Sequence, residues 1–509
     1  MNQRKIVKFG ELLLITGMLL FLGMIFFTNI FHFNFKMNAD IASDAVLARL
    51  IWNRKEIIPS TWYRANETRI ICTPNLAALF YGLTKNMVLS EGMACCLMTL
   101  MIVTSIFYFG KKAELKKSET LLLVFLGLIL PVNMAILELL YLFASYYAIH
   151  VVVLFFTLGV YMDLINKKKT KWTQAGLSII FAFILGIQGV RGILILYEPL
   201  FGIEVIRILY RIYCKIKSEK ADWMSSIWIF CLLAVSFIGT CFPFSTGQSF
   251  SRNIRNGVKK LFTVVLPNIK RAIGFEESNL YGKIILCILL IVVLYTLGNI
   301  LYRIWRKKTI NAVDWAFLVI CASPVVTALT VAFTTFDDSE RYYFLLVYSM
   351  AFAIALLWRR ISNTCKLVGG LLSVIFAIVS IRMVYLPIIF SQEPPATEAY
   401  AVGEYLEKND YKNAYATFEN ANTITVLTNG SVQVSAVASV DKMDICKWMT
   451  STEWYVPNIP FEERTAYIIT ESEMELFEDF LRKHKDKVEL VQKVGKYIVY
   501  ASNYNFSTM

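Results

Sequence analysis

Between the first apolar block and the next lies a stretch whose residue types suit acid–base chemistry at a membrane surface. Asp40 and Asp44 stand four apart in Asn38-Ala-Asp40-Ile-Ala-Ser-Asp44; Glu67 follows, with Trp62, Tyr63, Arg64 and Arg69 around it. A helix over 39–54 would put the two aspartates on one face, their Cβ atoms roughly 5–6 Å apart. A carboxylate placed where the chain leaves a bilayer can act as general base on an incoming hydroxyl. The plain alternative is that Asn38 and Asp40 merely cap a short surface helix, since both types are strong N-caps. Other charged groups expected at the same outer level favour the chemical reading.

Arg191 is one of these, in Gly189-Val-Arg191-Gly at the end of an apolar span. A buried arginine near lipid is costly and usually faces a partner or a cavity. A purely structural pair with Glu198 is an equal reading. In the turn 336–344, Arg341 can reach a phosphate, and Tyr342 can stack on a sugar or sit in the interfacial belt. The stretch 244–282 carries Arg252, Arg255, Lys259, Lys260, Lys270 and Arg271. Phe250, Ile254, Val258, Leu261 and Phe262 recur among them at near-helical spacing. That predicts an amphipathic helix on the outer surface, either an anchor or a substrate-binding element. Glu138 and His150, expected at the ends of adjacent spans, suit a metal or acid/base site, or a bond to one another.

These residues need a scaffold, and composition says which kind. The chain has 509 residues, 57% of them hydrophobic and only 17% charged, against roughly 25% charged in ordinary soluble domains. Its apolar residues fall in blocks of about 20, the length of a membrane helix. Spans are expected at 11–31, 86–109, 119–141, 146–165, 172–190, 193–213, 223–243, 283–302, 314–335, 342–358 and 367–389, about eleven helices. Lys111, Lys112, Lys116 and Lys117, then Lys167 to Lys169, Lys215 to Lys220, Arg303 to Lys308, and Arg359 with Arg360 all fall on alternate loops. That places those loops and the N-terminus in the cytoplasm. An odd number of spans then puts the loop 32–85 and the C-terminal region outside. The part 70–83 is expected to lie in or re-enter the membrane.

Pro394-Pro395 marks the start of a soluble domain, giving a transmembrane domain over 1–390 and a soluble one over 391–509. Helices are expected at 396–409, 420–428 and 471–483, and strands at 414–418, 432–437, 466–470, 488–492 and 496–502. Strand–helix alternation implies a small α/β layer. This region carries a net charge of −7 against +20 for the rest, which argues against nucleic acid and for contact with anionic lipid. It has no GxGxxG or Walker motif. Ten cysteines are present, with no CxxC pair or His-spaced set, so neither a disulfide framework nor a zinc site is indicated.

A long outer loop after the first helix with an acid at its start, Asn38-Ala-Asp40, together with Gly189-Val-Arg191 and Arg341-Tyr342, resembles the GT-C superfamily of membrane glycosyltransferases. Those enzymes use polyprenyl-phosphate-linked sugars, as in protein O-mannosyltransferases and lipid A aminoarabinose transferases. Many bacterial members end in an extracytoplasmic α/β domain. The resemblance implies an inverting hexosyl- or pentosyltransferase of the cell membrane, with a glycan, lipid or protein acceptor. It implies Asp40 or Asp44 as base, because many members have Asp-Glu where this chain has Asp40-Ile41. Arg191, Arg341, Arg252 and Arg255 would hold the donor phosphate, and Trp62, Tyr63, Tyr342 and Glu67 would contact sugar. A divalent metal is left open; the sequence requires none. The competing readings are a polysaccharide polymerase or ligase, and a transporter or flippase of lipid-linked glycans. Against transport, no two halves repeat and no intramembrane acid–base relay is evident.

Overall fold

In a computed structural model of the chain, the described residues are 3–166, 168, 171–215, 220–242, 251–276, 278, 280–359, 363–390, 396–455 and 464–506. Phe250, Lys167, Lys169, residues 216–219, Arg360 and the Pro394-Pro395 boundary lie outside them. The chain forms two compact units that are not contiguous in sequence. One comprises Met1–Ile25, Met98–Tyr141 and Ser145–Leu386; the other comprises Phe26–Leu97, Leu142–Ala144 and Pro387–Met509. The outer loop 32–85 and the C-terminal residues therefore belong to the same unit.

The first unit is helical. Among the described residues of the chain, eight helices are long and apolar enough to cross a membrane: Val7–Phe31, Met87–Lys112, Ala148–Ile165, Trp223–Thr240, Gly282–Trp305, Ala312–Phe333, Glu340–Trp358 and Leu367–Ile389. The other three expected spans are also helical but differ in instructive ways. The 119–141 block is two helices, Lys117–Ile129 and Met134–Leu140, separated at Leu130-Pro131, where proline cannot continue the backbone ladder. Trp172–Gln188 is apolar but only 17 residues long. The 193–213 block carries Glu198, Glu204, Arg207 and Arg211. Its central charges are buried as a closed network. Arg207 Nε and Nη2 donate to Glu204 at 2.8 and 2.7 Å, and the hydroxyls of Tyr161 and Ser226 donate to the same carboxylate at 2.7 and 2.6 Å. Burial of such a pair is tolerable only because its hydrogen-bonding positions are filled.

Three wide π-helical turns interrupt helices, at Ile193–Tyr197, Leu261–Val265 and Ile381–Tyr385. Each is followed two residues later by a proline: Pro199, Pro267 and Pro387. Proline lacks an N–H and its ring meets the carbonyl four residues back, so a looser turn at that point relieves both problems.

The second unit is built on a sheet. Its strands are β1 (Trp62–Tyr63), β2 (Asn413–Thr417), β3 (Gln433–Val437), β4 (Thr450–Ser451), β5 (Thr465–Thr470), β6 (Glu489–Val494) and β7 (Tyr497–Ser502). Five of them form one sheet in the order β3-β2-β5-β7-β6, parallel at β3-β2-β5 and antiparallel at β5-β7-β6. Alternation along the strands gives two apolar faces. Ala414, Ala416, Val434, Ala436, Ile468 and Val499 pack under the helices Thr397–Lys408 and Phe418–Leu427 through Val402, Leu406 and Ile424. Tyr415, Tyr467, Ile469 and Tyr500 pack on Phe477 and Phe480 of the helix Met474–His484. The expected C-terminal strands and helices are thus present, as a sheet covered on both faces.

The outer loop is fastened to this sheet layer. Its helix Ala39–Arg54 ends with Lys55 in the left-handed conformation. It packs on the helix Thr73–Thr84, where Gly82 lies so close to Trp52 that a Cβ would sit 2.4 Å from the ring. Asn422 Nδ2 donates to Ser43 Oγ at 2.8 Å and to the Met449 carbonyl at 3.0 Å. Arg54 Nη1 pairs with Glu453 at 2.5 Å, and β1 pairs antiparallel with β4. At 12 residues, Thr73–Thr84 is too short to span, yet it leaves Leu79 and Leu83 exposed.

Candidate active site

Helix Ala39–Arg54 sets the spacing of the two aspartates. Asn38 is its cap: the Asn38 side chain accepts from Ile41 N at 3.0 Å. Asp40 therefore is not the cap. It occupies the first turn, half-buried, where a negative charge is favoured by the helix field. One turn on, Asp44 is fully enclosed, its side chain 1% exposed. Its Oδ1 lies 3.6 Å from Arg69 Nε, and Arg69 Nη1 lies 3.7 Å from Glu67 Oε2. The second carboxylate oxygen of Asp44 is buried without a hydrogen-bond partner. The Asp44 carboxyl is pushed up to about 6: burial raises it most, Arg69 pulls against that, and the charges of Asp40 and Glu67 add to the rise. Asp40, Asp44, Glu67 and Arg69 thus form one electrostatic cluster, of which helical spacing suggested only the pairing of the two aspartates.

Glu91 joins that cluster, and sequence reasoning missed it. It lies in the second turn of the helix Met87–Lys112, fully buried, neither carboxylate oxygen hydrogen-bonded, with Asp44 and Arg69 as its charged neighbours. The signal was available: a lone acid within an apolar block is by default a functional candidate. Cys72, also beside Asp44 and Arg69, has its thiol pushed up by burial.

The two aromatic candidates of the loop are placed differently from one another. Trp62 is 9% exposed and packs edge-on against Trp454, ring centroids 6.1 Å apart, in a cluster with Leu47, Ala77 and Met449. Its ring is part of a core. Tyr63 is half-buried in β1, opposite Thr450. The space left beside Trp62, Glu67 and Arg69 is a cavity of about 10 Å³, room for roughly one water.

In the helical unit, the backbone itself presents Arg191. Gly189 has φ 145°, a conformation that disfavours side chains, and it ends the helix Trp172–Gln188. The Arg191 guanidinium then lies between two rings, 4.1 Å from the centroid of Tyr147 and 4.3 Å from that of Tyr342. Two cation–π contacts hold the guanidinium in place. Tyr342 is a sequence candidate for stacking on sugar, not for holding Arg191, and Tyr147 is not a sequence candidate. His150, 3% exposed, stacks edge-on against Tyr147 at 5.6 Å.

The remaining cations divide. Arg341 is half-buried in the turn Glu340–Tyr343, whose start Ser339 caps by accepting from Arg341 N at 3.4 Å. Arg252 and Arg255 are exposed, Arg252 in a bridge to Thr334. Lys260, grouped with them in the sequence, donates instead to the carbonyls of Thr334 and Phe336. The expected amphipathic stretch is the helix Ile254–Lys260 with its π-helical continuation, and Ile254, Val258 and Phe262 are each about 60% exposed or more. Among the described residues, no group of three His, Cys, Asp or Glu side chains is arranged to hold a metal ion.

No family model and no curated protein matches the chain by sequence. By structure, the chain is similar to ArnT from Cupriavidus metallidurans. Against the crystal structure of ArnT in the apo state the TM-score is 0.56 at 9% identity, covering 94% of this chain and 96% of that one. Against ArnT bound to undecaprenyl phosphate it is 0.54 at 10% identity, covering 99% of each chain. The chain therefore shares the fold of these ArnT structures over nearly its whole length, an array of helices long and apolar enough to cross a membrane with a C-terminal α/β part.

Proposed function

We propose that this protein is an integral membrane glycosyltransferase that moves a sugar from a polyprenyl-phosphate donor to a hydroxyl of an extracytoplasmic glycan, lipid or protein. The observation that carries the reading is the full-length likeness of fold to ArnT, one structure of which binds undecaprenyl phosphate. In the reaction, an acceptor oxygen bonds to the anomeric carbon, the bond from that carbon to the phosphate oxygen breaks, and polyprenyl phosphate leaves. Attack from the face opposite the phosphate inverts the anomeric centre. The acceptor proton goes to a carboxylate.

Asp40 suits that task better than Asp44. It is partly exposed at the start of its helix, whereas Asp44 is enclosed and tied to Arg69. Asp44, Glu67 and Arg69 then hold the loop in shape. For the donor phosphate, Arg191 has the right chemistry: two rings hold its guanidinium, whose N–H groups suit phosphate oxygens. Arg341, Arg252 and Arg255 add positive charge. The basic loops at alternate helix ends support a cytoplasmic N-terminus and an extracytoplasmic C-terminal domain.

The test is turnover by the purified protein in lipid, given labelled polyprenyl-phosphate sugars and membranes carrying acceptors. Release of polyprenyl phosphate with transfer of label is expected. Movement of intact lipid-linked sugar across a vesicle, with the sugar–phosphate bond uncleaved, would make the protein a transporter instead.

A further inference from the structure

A cavity of about 190 Å³ lies in the helical unit at the end where the basic segment 303–308 joins two helices, and none of its lining residues belongs to the candidate active site. Arg303, Arg359, Asn299, Asn311, Asp314 and Tyr295 are among its lining residues. Its volume is below the roughly 300–1,000 Å³ of sites for drug-sized ligands, and suits a small polar headgroup.

Two arginines face this space, and each is held by one acid. Arg303 Nη2 lies 2.6 Å from Asp314 Oδ2, and Asn311 N donates to the same oxygen at 3.0 Å. Arg359 Nε donates to Glu119 Oε2 at 2.7 Å. The acids are thereby neutralised, but the guanidinium forks are not used up, since each carries five N–H donors. Arg303 Nε is buried without a hydrogen-bond partner. That atom is itself shut off from the cavity, so a ligand there meets the guanidinium through its other N–H groups.

The surroundings indicate where the acceptor comes from. The helix Gly282–Trp305 has only 17% of its span buried and exposes Ile288, Ile291, Leu294 and Tyr295, a lipid-facing surface leading up to the cavity. At its end, Trp305 and Tyr302 are exposed, as in an interfacial aromatic belt. Arg306 lies over Trp305 at 5.1 Å and Lys307 over Tyr213 at 4.1 Å, so further cations sit at the same level. A basic recess between helices at the basic-loop side is the setting in which anionic headgroups bind. We infer that this cavity binds the phosphate of an anionic phospholipid, with Arg303 and Arg359 as its donors and the acyl chains along the exposed face of Gly282–Trp305.

The test uses the full-length protein in a neutral detergent, titrated with phosphatidylglycerol, phosphatidylcholine, glycerol phosphate and inorganic phosphate, with bound lipid counted by intact-complex mass spectrometry. The paired change Arg303→Gln with Asp314→Asn removes the donor and keeps the net charge. Asn299→Trp fills the cavity and leaves both ion pairs intact. Phosphatidylglycerol is expected to bind in preference to phosphatidylcholine and to be weakened about tenfold or more by both variants, the scale of one charge-assisted hydrogen bond. Equal retention of both lipids, or phosphatidylglycerol binding unchanged in both variants, overturns the site. Glycerol phosphate or inorganic phosphate binding as tightly as the lipid would make it a site for a soluble phosphate, and overturns the lipid assignment.

Discussion

Replacing Asp44 with asparagine should make the protein's stability less dependent on pH in a predictable direction. The carboxyl is enclosed, and burial raises it from about 3.8 to about 6 despite Arg69. Between those values the folded state holds a proton that the unfolded chain has released. Stability therefore falls as pH rises through this window, and stops falling once the folded group also ionises. A displacement of about two units corresponds to about 3 kcal/mol. Asparagine keeps the shape and an oxygen for Arg69, but does not titrate. The difference in stability, Asp44→Asn minus wild type, should thus grow by about 2 kcal/mol of that total from pH 4 to pH 6 and level off above about pH 7. Thermal unfolding of both proteins in the same detergent at pH 4.5, 5.5, 6.5 and 7.5 measures this difference directly, and titrating groups outside the Asp44 cluster cancel. A difference that shrinks as pH rises would mean that Arg69 outweighs burial and that Asp44 is an ordinary ion-pair acid.

Other outcomes follow from individual contacts. Trp62→Ala removes a buried ring from the core that joins β1 to Trp454; it should lower stability by about 3–5 kcal/mol, seen as a lower melting temperature, where a sugar-stacking residue would change KM with little loss of stability. Arg191→Lys keeps the charge but loses the flat group held by Tyr147 and Tyr342, so donor KM should rise more than kcat falls; unchanged KM would remove Arg191 from the phosphate role. Protease added to intact cells should cut within 391–509, and a tail protected until lysis would reverse the proposed topology.

The spans were legible in the sequence because an unbroken block of about 20 apolar residues matches the thickness of a bilayer and exceeds what a soluble helix usually buries. The C-terminal strands were equally visible, bounded by turn signals such as Asn429-Gly430, both of which take positive φ. Pro131 was in plain view inside 119–141, but block length outweighed it, and the break it causes went unanticipated. Trp62 looked like a sugar platform because aromatic residues beside arginines suggest one. Its burial depends on Trp454, nearly 400 positions away, and no local pattern announces such a contact. The pairing of Asp40 with Asp44 could be read from helical spacing alone. The partnership of Asp44 with Arg69 and Glu91 could not, because three separate elements bring those charges together. Tyr147 was hidden for the same reason: its role exists only through Arg191.

In the proposed glycosyl transfer from a polyprenyl-phosphate sugar, Asp40 takes the acceptor proton. Asp40→Asn keeps the side chain's shape and removes its basicity. The purified variant should unfold at the wild-type temperature and bind donor lipid with wild-type affinity, while turnover falls by about 10²–10⁴-fold, the usual loss for one positioned acid–base group. The same assay on Asp44→Asn should show a milder loss. Wild-type turnover in Asp40→Asn with loss in Asp44→Asn would move the base one turn along the helix, and full turnover in both would contradict the assignment of this loop as the active site.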